Sequence, residues 1–352
     1  MPNPPIAALF DGPIDVVGDV HGEIEPLQQL LSKLGYDATG RHPHGRRLVF
    51  VGDLTDRGPD SPAVLDMVRA LVGRGLAQCL LGNHELNLLR GDLKSGNEWF
   101  VDPKHARAQP GGEFVRSKPA TDIQKSMWLK FFATLPLALE RDDLRVVHAA
   151  WVPSEIAALR AEHGATTEIY DRFTMQTRRQ LEMEGVLARA RQEQAEWGTR
   201  IPDRAAMVPL LPGIAERDER FQMGSPVRVA TSGVERMARV PFWSSGRWRM
   251  CQRVNWWEEY DEPEPVIIGH YWRQAKPVLN STHAVSKPQT FATVGPLEWV
   301  GLRKNVYCVD FSIGARYQER QQGTANFESH LAAMRWPEKE LWFETGQYGS
   351  TA

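Results

Sequence analysis

Between residues 14 and 90 one pattern occurs three times. An apolar, β-branched run stops at a glycine, and a short loop carrying carboxylate, imidazole or amide side chains follows. Ile14 to Gly18 leads into Asp19-Val20-His21-Gly22, Leu48 to Val51 into Gly52-Asp53-Leu54-Thr55-Asp56-Arg57-Gly58, and Ala77 to Leu81 into Gly82-Asn83-His84-Glu85. Between the loops, Ile24, Leu27, Leu30, Leu31 and Leu34, then Val64, Leu65, Val68, Leu71 and Val72, fall at helical spacing. Strand, loop and helix in repetition predict parallel βαβ connections in an α/β fold. Such connections bring Asp19, His21, Asp53, Asp56, Arg57, Asn83 and His84 to one sheet edge. Two later apolar runs, Leu144 to Val147 and Pro265 to Ile268, lead to His148 and to Gly269-His270.

Composition excludes several functions. With 352 residues, 42% hydrophobic and 24% charged, the chain can bury a substantial core as one elaborated domain or two. A formal net charge of -2 provides no global field for nucleic acid or an anionic membrane, so stable nucleic-acid binding is not indicated. Cys79, Cys251 and Cys308 are odd in number and lack CxxC spacing, which argues against a disulfide framework or a thiolate zinc site. With no signal-like start and no apolar run long enough to span a bilayer, the expectation is a soluble cytoplasmic protein.

The polar residues at the strand ends form a donor set: Asp19, His21, Asp53, Asn83, His148 and His270. Imidazole nitrogen mixed with carboxylate and amide oxygen suits manganese, iron or zinc better than magnesium or calcium. Two divalent transition-metal ions sharing Asp53, manganese first with iron or zinc as alternatives, would use every donor and could hold a hydroxide for in-line attack at phosphorus. His84 is then assigned to protonating the leaving oxygen, Asp56 to orienting its imidazole, and Arg57 to gripping phosphoryl oxygens through its planar fork.

These blocks resemble, in order, the signature motifs of the phosphoprotein phosphatase branch of calcineurin-like metallophosphoesterases. Val147-His148-Ala149 and Ile268-Gly269-His270 resemble its last two histidine blocks. Residues 14 to 90 are most similar to bacterial diadenosine tetraphosphatase-like enzymes and to the phosphatase modules of polynucleotide kinase-phosphatases. The resemblance implies two mixed β-sheets flanked by helices, with a dinuclear site at strand carboxyl ends. It also implies that Asp19 and His21 hold one metal, that Asn83, His148 and His270 hold the other, and that Asp53 lies between. Tyr307-Cys308-Val309-Asp310 resembles a segment carrying a further active-site Asp, and residues 333 to 341 a closing hairpin. A second phosphate-binding arginine is implied, with Arg247, Arg249 and Arg253 as candidates. Ala150, Tyr271-Trp272 and Phe311-Ser312 depart from the family pattern at positions that bear on substrate fit.

We expect one domain over residues 1–352 with a helical and loop insertion at 154–262. In it, Ile156, Leu159, Leu181 and Leu187 look too sparse for a full core face, and residues 202 to 246 read as loops and short strands. Trp243, Trp248, Trp256, Trp257 and Trp272 read as core of the insertion, with nucleobase stacking as the other reading. Residues 91 to 126 read as a long loop whose Lys104 and His105 stay outside the site. The chain is therefore expected to be a phosphoesterase acting on phosphomonoesters or nucleotide phosphoanhydrides. The alternatives are a protein serine/threonine phosphatase and a non-catalytic binding module; Asp56, Arg57 and His84 disfavour the latter.

Overall fold

The computed structural model describes residues 4–101, 117–244, 246–275, 290–291 and 293–351, so Lys104 and His105 lie outside the described residues. In chain order the elements are β1 (Ile6–Ala8), β2 (Ile14–Val17), α1 (Ile24–Leu34), β3 (Arg47–Phe50), α2 (Ser61–Gly73), β4 (Ala77–Cys79), α3 (Asn83–Leu89), α4 (Asp122–Phe132), β5 (Ala138–Arg141) and β6 (Leu144–Val147). There follow α5 (Pro153–Arg160), α6 (Thr166–Met183), α7 (Val186–Trp197), α8 (Pro212–Met223), α9 (Pro226–Ser232), β7 (Glu235–Ser244) and β8 (Arg247–Arg253). The chain continues through β9 (Val266–Ile268), β10 (Val306–Cys308), α10 (Arg316–Gln321), β11 (Ala332–Trp336), β12 (Glu340–Phe343) and β13 (Tyr348–Ser350).

The first helices form for the reasons their sequences suggest. In α1, Leu27, Leu30, Leu31 and Leu34 share a buried face, and Gly35 ends the helix at φ 95°, where a Cβ would be strained. In α2, the Asp60 side chain caps the Ala63 amide at 3.1 Å and Pro62 occupies the first turn.

Two mixed sheets face each other. One has the order β1-β5-β6-β9-β10 and the other β13-β12-β11-β2-β3-β4. The predicted parallel unit is present, since β2, β3 and β4 run parallel as neighbours. The closing hairpin is also present, with β11 antiparallel to both β12 and β2. Val16, Val49, Val51 and Leu80 from one sheet meet Leu139, Val146, Ile267 and Tyr307 from the other in a buried layer. Side chains of this size contribute roughly 1.5 to 3 kcal/mol each when fully buried. The opposite faces of the strands pack against α1, α2 and α4, which places helices outside the two sheets.

Between β6 and β9, two expectations are corrected. Ile156, Leu159, Leu181 and Leu187 are all buried. The first two join Ile169 and Tyr170 in the large core, whereas Leu181 and Leu187 close a small cluster with Val186. The four lie on three separate helices and serve different partners, so they form no single stripe. Residues 202 to 246 contain helices α8 and α9 as well as the β7-β8 hairpin, because Ile214, Ala215, Val227 and Val229 find buried places despite the surrounding proline and glycine. The hairpin and α8 share a core of their own with α7 through Met250, Ile214 and Ala190.

Candidate dinuclear metal centre

The strand ends converge. Asp19 and His21 follow β2, Asp53 follows β3, Asn83 opens α3 after β4, His148 follows β6, and His270 lies just beyond β9. Register explains the pairing of the late histidines. Strands β6 and β9 are parallel neighbours with Val147 opposite Ile268, so their next loops emerge side by side. The His148 and His270 ring centroids are 5.1 Å apart. The turns are sharp. Nine non-glycine residues among those described have positive φ, and six of them (His21, Asp53, Asp56, Arg57, His270 and Trp272) lie in these loops. Such conformations cost on the order of 1 to 3 kcal/mol each and persist where surrounding structure enforces them. Close approach also explains a glycine, because a Cβ on Gly269 would lie 2.2 Å from Asp19 Oδ1.

Two groups of ligand-type atoms, His21-Asp53-His84 and Asp53-His148-His270, each lie within 4.8 Å of one another, and Asp53 belongs to both. Asp53 Oδ2 is 3.4 Å from His148 Nε2, 3.8 Å from His84 Nε2 and 4.0 Å from His21 Nε2, while Asp19 Oδ2 is 3.9 Å from His21 Nε2. The Asn83 side-chain oxygen faces His148 Nε2 at 3.3 Å. Turned over, the Asn83 amide would instead donate to His148 Nε2 and to His270 Nδ1 at 2.9 Å. Lone pairs therefore meet at one point, which either an N–H or a cation satisfies; the oxygen-inward orientation is the one a cation requires. His21 Nε2 is likewise buried with no hydrogen-bond partner. These residues fit a pair of metal ions.

The tautomers are set from outside. His21 Nδ1 lies 3.0 Å from the Thr55 carbonyl and His148 Nδ1 lies 2.8 Å from the Val51 carbonyl. A carbonyl can only accept, so Nδ1 carries the hydrogen in each and Nε2 turns a lone pair inward. His84 differs, because its Nδ1 lies 2.6 Å from the Asp56 carboxylate, a charged partner that stabilises imidazolium. Burial opposes protonation of His84, but Asp53 and the Asp56 bond outweigh it and raise its pKa. Burial, Arg57 and His84 push His21 well below the ordinary histidine value. Burial, Asp310 and Asp53 together lift Asp19 well above the carboxylate range. Burial opposes ionisation of Asp53 too, yet His148, His84 and His21 hold it well below that range.

Arg57 and Trp272 are half-buried, and Asp310 is buried. The Arg57 guanidinium lies 4.7 Å from the centre of the Trp272 ring. The Trp272 amide donates to Asp310 Oδ2 at 3.0 Å, and Ser312 donates to Asp310 Oδ1 at 2.8 Å. Asp310 is therefore buried and bound to backbone, close enough for Arg57 to oppose the rise that burial imposes on its pKa. Of the candidate arginines, Arg253 reaches the site's edge, donating to the His270 carbonyl at 3.4 Å. The tryptophans divide: Trp256 and Trp257 are core, Trp243 and Trp248 pack edge to face on the β7-β8 hairpin, and Trp272 alone of the five lies over Arg57.

Sequence reasoning missed three supports. Glu85 is fully buried, accepting from the amides of Asp53 (2.9 Å), Leu54 (2.8 Å) and Thr55 (3.2 Å) and from the Thr55 hydroxyl (3.2 Å). It holds the turn that presents Asp53. Glu85→Gln would set an N–H₂ against backbone N–H groups, so we expect a loss of about 1 to 3 kcal/mol in urea unfolding of the metal-free protein. Asn97 and Trp99, from the stretch read as loop, both donate to Asp56. Glu85 was visible as the last residue of Gly-Asn-His-Glu; nothing local marks the other two.

Residues 12–183 match the family model described as calcineurin-like phosphoesterase. Over that stretch, just under half of its length, the chain is similar to calcineurin-like phosphoesterases. The matched stretch includes Asp19, His21, Asp53, Asn83 and His148 and stops before His270 and Asp310. A dinuclear divalent-metal site is what this family implies, and the donor set above meets that requirement. Among similar proteins, bis(5'-nucleosyl)-tetraphosphatase PrpE (asymmetrical) of Oceanobacillus iheyensis is 36% identical over 166 residues, covering 46% of this chain and 65% of that protein. The protein of that name from Geobacillus thermodenitrificans is 50% identical over 140 residues, covering 39% and 56%. The chain thus spans less than two thirds of the length of the curated relatives it matches. The crystal structure of a cold-active protein-tyrosine phosphatase from a psychrophilic Shewanella aligns with all of this chain and 83% of its own, at 16% identity and a TM-score of 0.47.

Proposed function

We propose that the chain is a metal-dependent phosphoric ester hydrolase acting on phosphorylated small molecules, with nucleotide phosphoanhydrides first and phosphomonoesters second. The observation that carries this reading is the sharing of Asp53 between two donor groups, with a carboxylate-bound imidazole beside them. Asp19, His21 and Asp53 would hold one ion and Asp53, Asn83, His148 and His270 the other. Two divalent cations bound there, manganese by preference and otherwise iron or zinc, would supply an activated water and neutralise phosphoryl charge. Arg57 binds the phosphoryl oxygens through its fork, its plane set by the Trp272 ring. As water oxygen bonds to phosphorus and the far P–O bond breaks, His84 passes its Nε2 proton to the departing oxygen, and Asp56 keeps the imidazole aligned. Asp310 supports the Trp272 side of the mouth.

The printed name of the two PrpE relatives supports a nucleotide anhydride as substrate. Among the described residues no helix is long and apolar enough to cross a membrane, which fits the cytoplasmic placement we favour. We treat residues 1–352 as one domain in which 154–262 is an insertion between neighbouring strands. The test is a manganese-supplemented screen of a dinucleoside polyphosphate, a nucleoside monophosphate, a 3′-phosphorylated oligonucleotide and a phosphopeptide. We expect the dinucleoside polyphosphate to give the largest kcat/KM. A preference for the phosphopeptide would move the reading to a protein phosphatase, and no turnover of any substrate with any transition ion would reject it.

A further inference from the structure

We propose that Asn97 and Trp99 are positioning residues that clamp the Asp56 carboxylate so that its remaining direction is reserved for His84. The inference rests on the hydrolase reading above. Asn97 Nδ2 lies 2.9 Å from Asp56 Oδ1 and 2.9 Å from Oδ2, Trp99 Nε1 lies 2.6 Å from Oδ1, and His84 Nδ1 lies 2.6 Å from Oδ2. Asp56, Asn97 and Trp99 are each at most 3% exposed, so water does not substitute for these donors.

The chemistry of the clamp is selective. A carboxylate has roughly four lone-pair sites, and each left empty in a buried place costs free energy. Here neutral N–H groups fill the sites that do not face His84. They satisfy the anion without cancelling its charge, which a lysine or arginine in the same place would do. Asp56 is thus fixed in rotation, and its open direction faces one imidazole. The clamp is itself anchored. Asn97 Oδ1 accepts the Lys94 amide at 2.7 Å, the Trp99 carbonyl accepts from Ala120, and the Trp99 ring packs on Phe100 and on fully buried Trp128. Asp56 also sits at φ 71°, its amide donating to Ser61 Oγ at 2.9 Å, so its backbone is held by a bond separate from those to its carboxylate.

The test compares Trp99→Phe, which removes one N–H and keeps an aromatic ring, with Asn97→Asp, which keeps the acceptor for Lys94 and replaces the donor by a like charge. Trp342→Phe serves as the substitution control, because its indole N–H donates to Glu340 on β12 and not to the site. Turnover is measured on an aryl phosphate with a good leaving group and on an alkyl phosphate with a poor one. Trp99→Phe should lower kcat on the alkyl phosphate by about ten- to a hundredfold, part of what a general acid supplies, and change the aryl phosphate little. Asn97→Asp should lower it further, and Trp342→Phe should change neither rate. The imidazole Nδ1–H resonance of His84, read by ¹⁵N-edited NMR, should move upfield in Trp99→Phe and stay in place in Trp342→Phe. Equal losses on both substrates, or an unmoved resonance, would overturn the clamp. A wild-type protein with no phosphatase activity but with the resonance shift intact would reject the hydrolase reading and leave the clamp standing.

Discussion

Asp53→Asn should strip the protein of both metal ions together. Elemental analysis after purification without chelators is expected to fall from two ions per chain toward none, with activity falling by more than the ~10- to 100-fold that loss of an outer hydrogen-bond partner costs. The reason is geometric, since among the described residues Asp53 alone belongs to both donor groups. An amide in its place offers one neutral oxygen where an anion served two ions. In metal-free protein the substitution relieves Asp19 of one like charge. Against the effect of burial, however, His148, His84 and His21 hold Asp53 itself well below the carboxylate range, so the ionised group stabilises the fold and its neutralisation is a net loss. Thermal melts at neutral pH should therefore show metal-free Asp53→Asn less stable than metal-free wild type, and added manganese should raise Tm only in wild type. Retention of a full pair of ions would overturn the bridging assignment.

His84→Ala is expected to separate chemistry from metal binding. Turnover on a substrate with a poor leaving group should fall by about two to four orders of magnitude, as loss of a general acid does, while metal content stays at the wild-type value. His84 needs this test because its Nε2 lies in the same cluster as His21 and Asp53, so proximity alone does not separate ligand from acid. What distinguishes it is the partner on its other nitrogen, a carboxylate where His21 and His148 each have a carbonyl. Loss of an ion equal to the loss of rate would make His84 a ligand. A good leaving group, which needs little protonation, should narrow the defect.

Much of the fold and of the site was legible in the sequence. Asp19, Asp53, Asn83, His148 and His270 each come a residue or a few after a short apolar run, and such a run breaking at a polar loop, usually through a glycine, is a local signal. The residues that brace the site are a different matter. Glu85, Asn97 and Trp99 matter through hydrogen bonds to turns up to 43 positions away in sequence, and nothing in their own neighbourhoods announces the partner. The insertion was misread for another physical reason. Helix α6 keeps Ile169, Tyr170, Thr177 and Leu181 on one arc, but a threonine interrupts the apolar stripe and its two ends meet different cores. Proline and glycine near α8 and α9 suggested loops, yet Pro212 and Pro226 occupy first turns, where a missing N–H costs nothing.

The placement of β6 beside β9 has an evolutionary consequence. The two histidines those strands deliver are held by ladder register, while some hundred residues depart from one strand and return to its neighbour. Lengthening, trimming or exchanging the outer part of that excursion would leave the ladder register of the two strands intact. A lineage could therefore change which molecules reach the pocket by grafting new excursions while inheriting the hydrolytic apparatus unaltered.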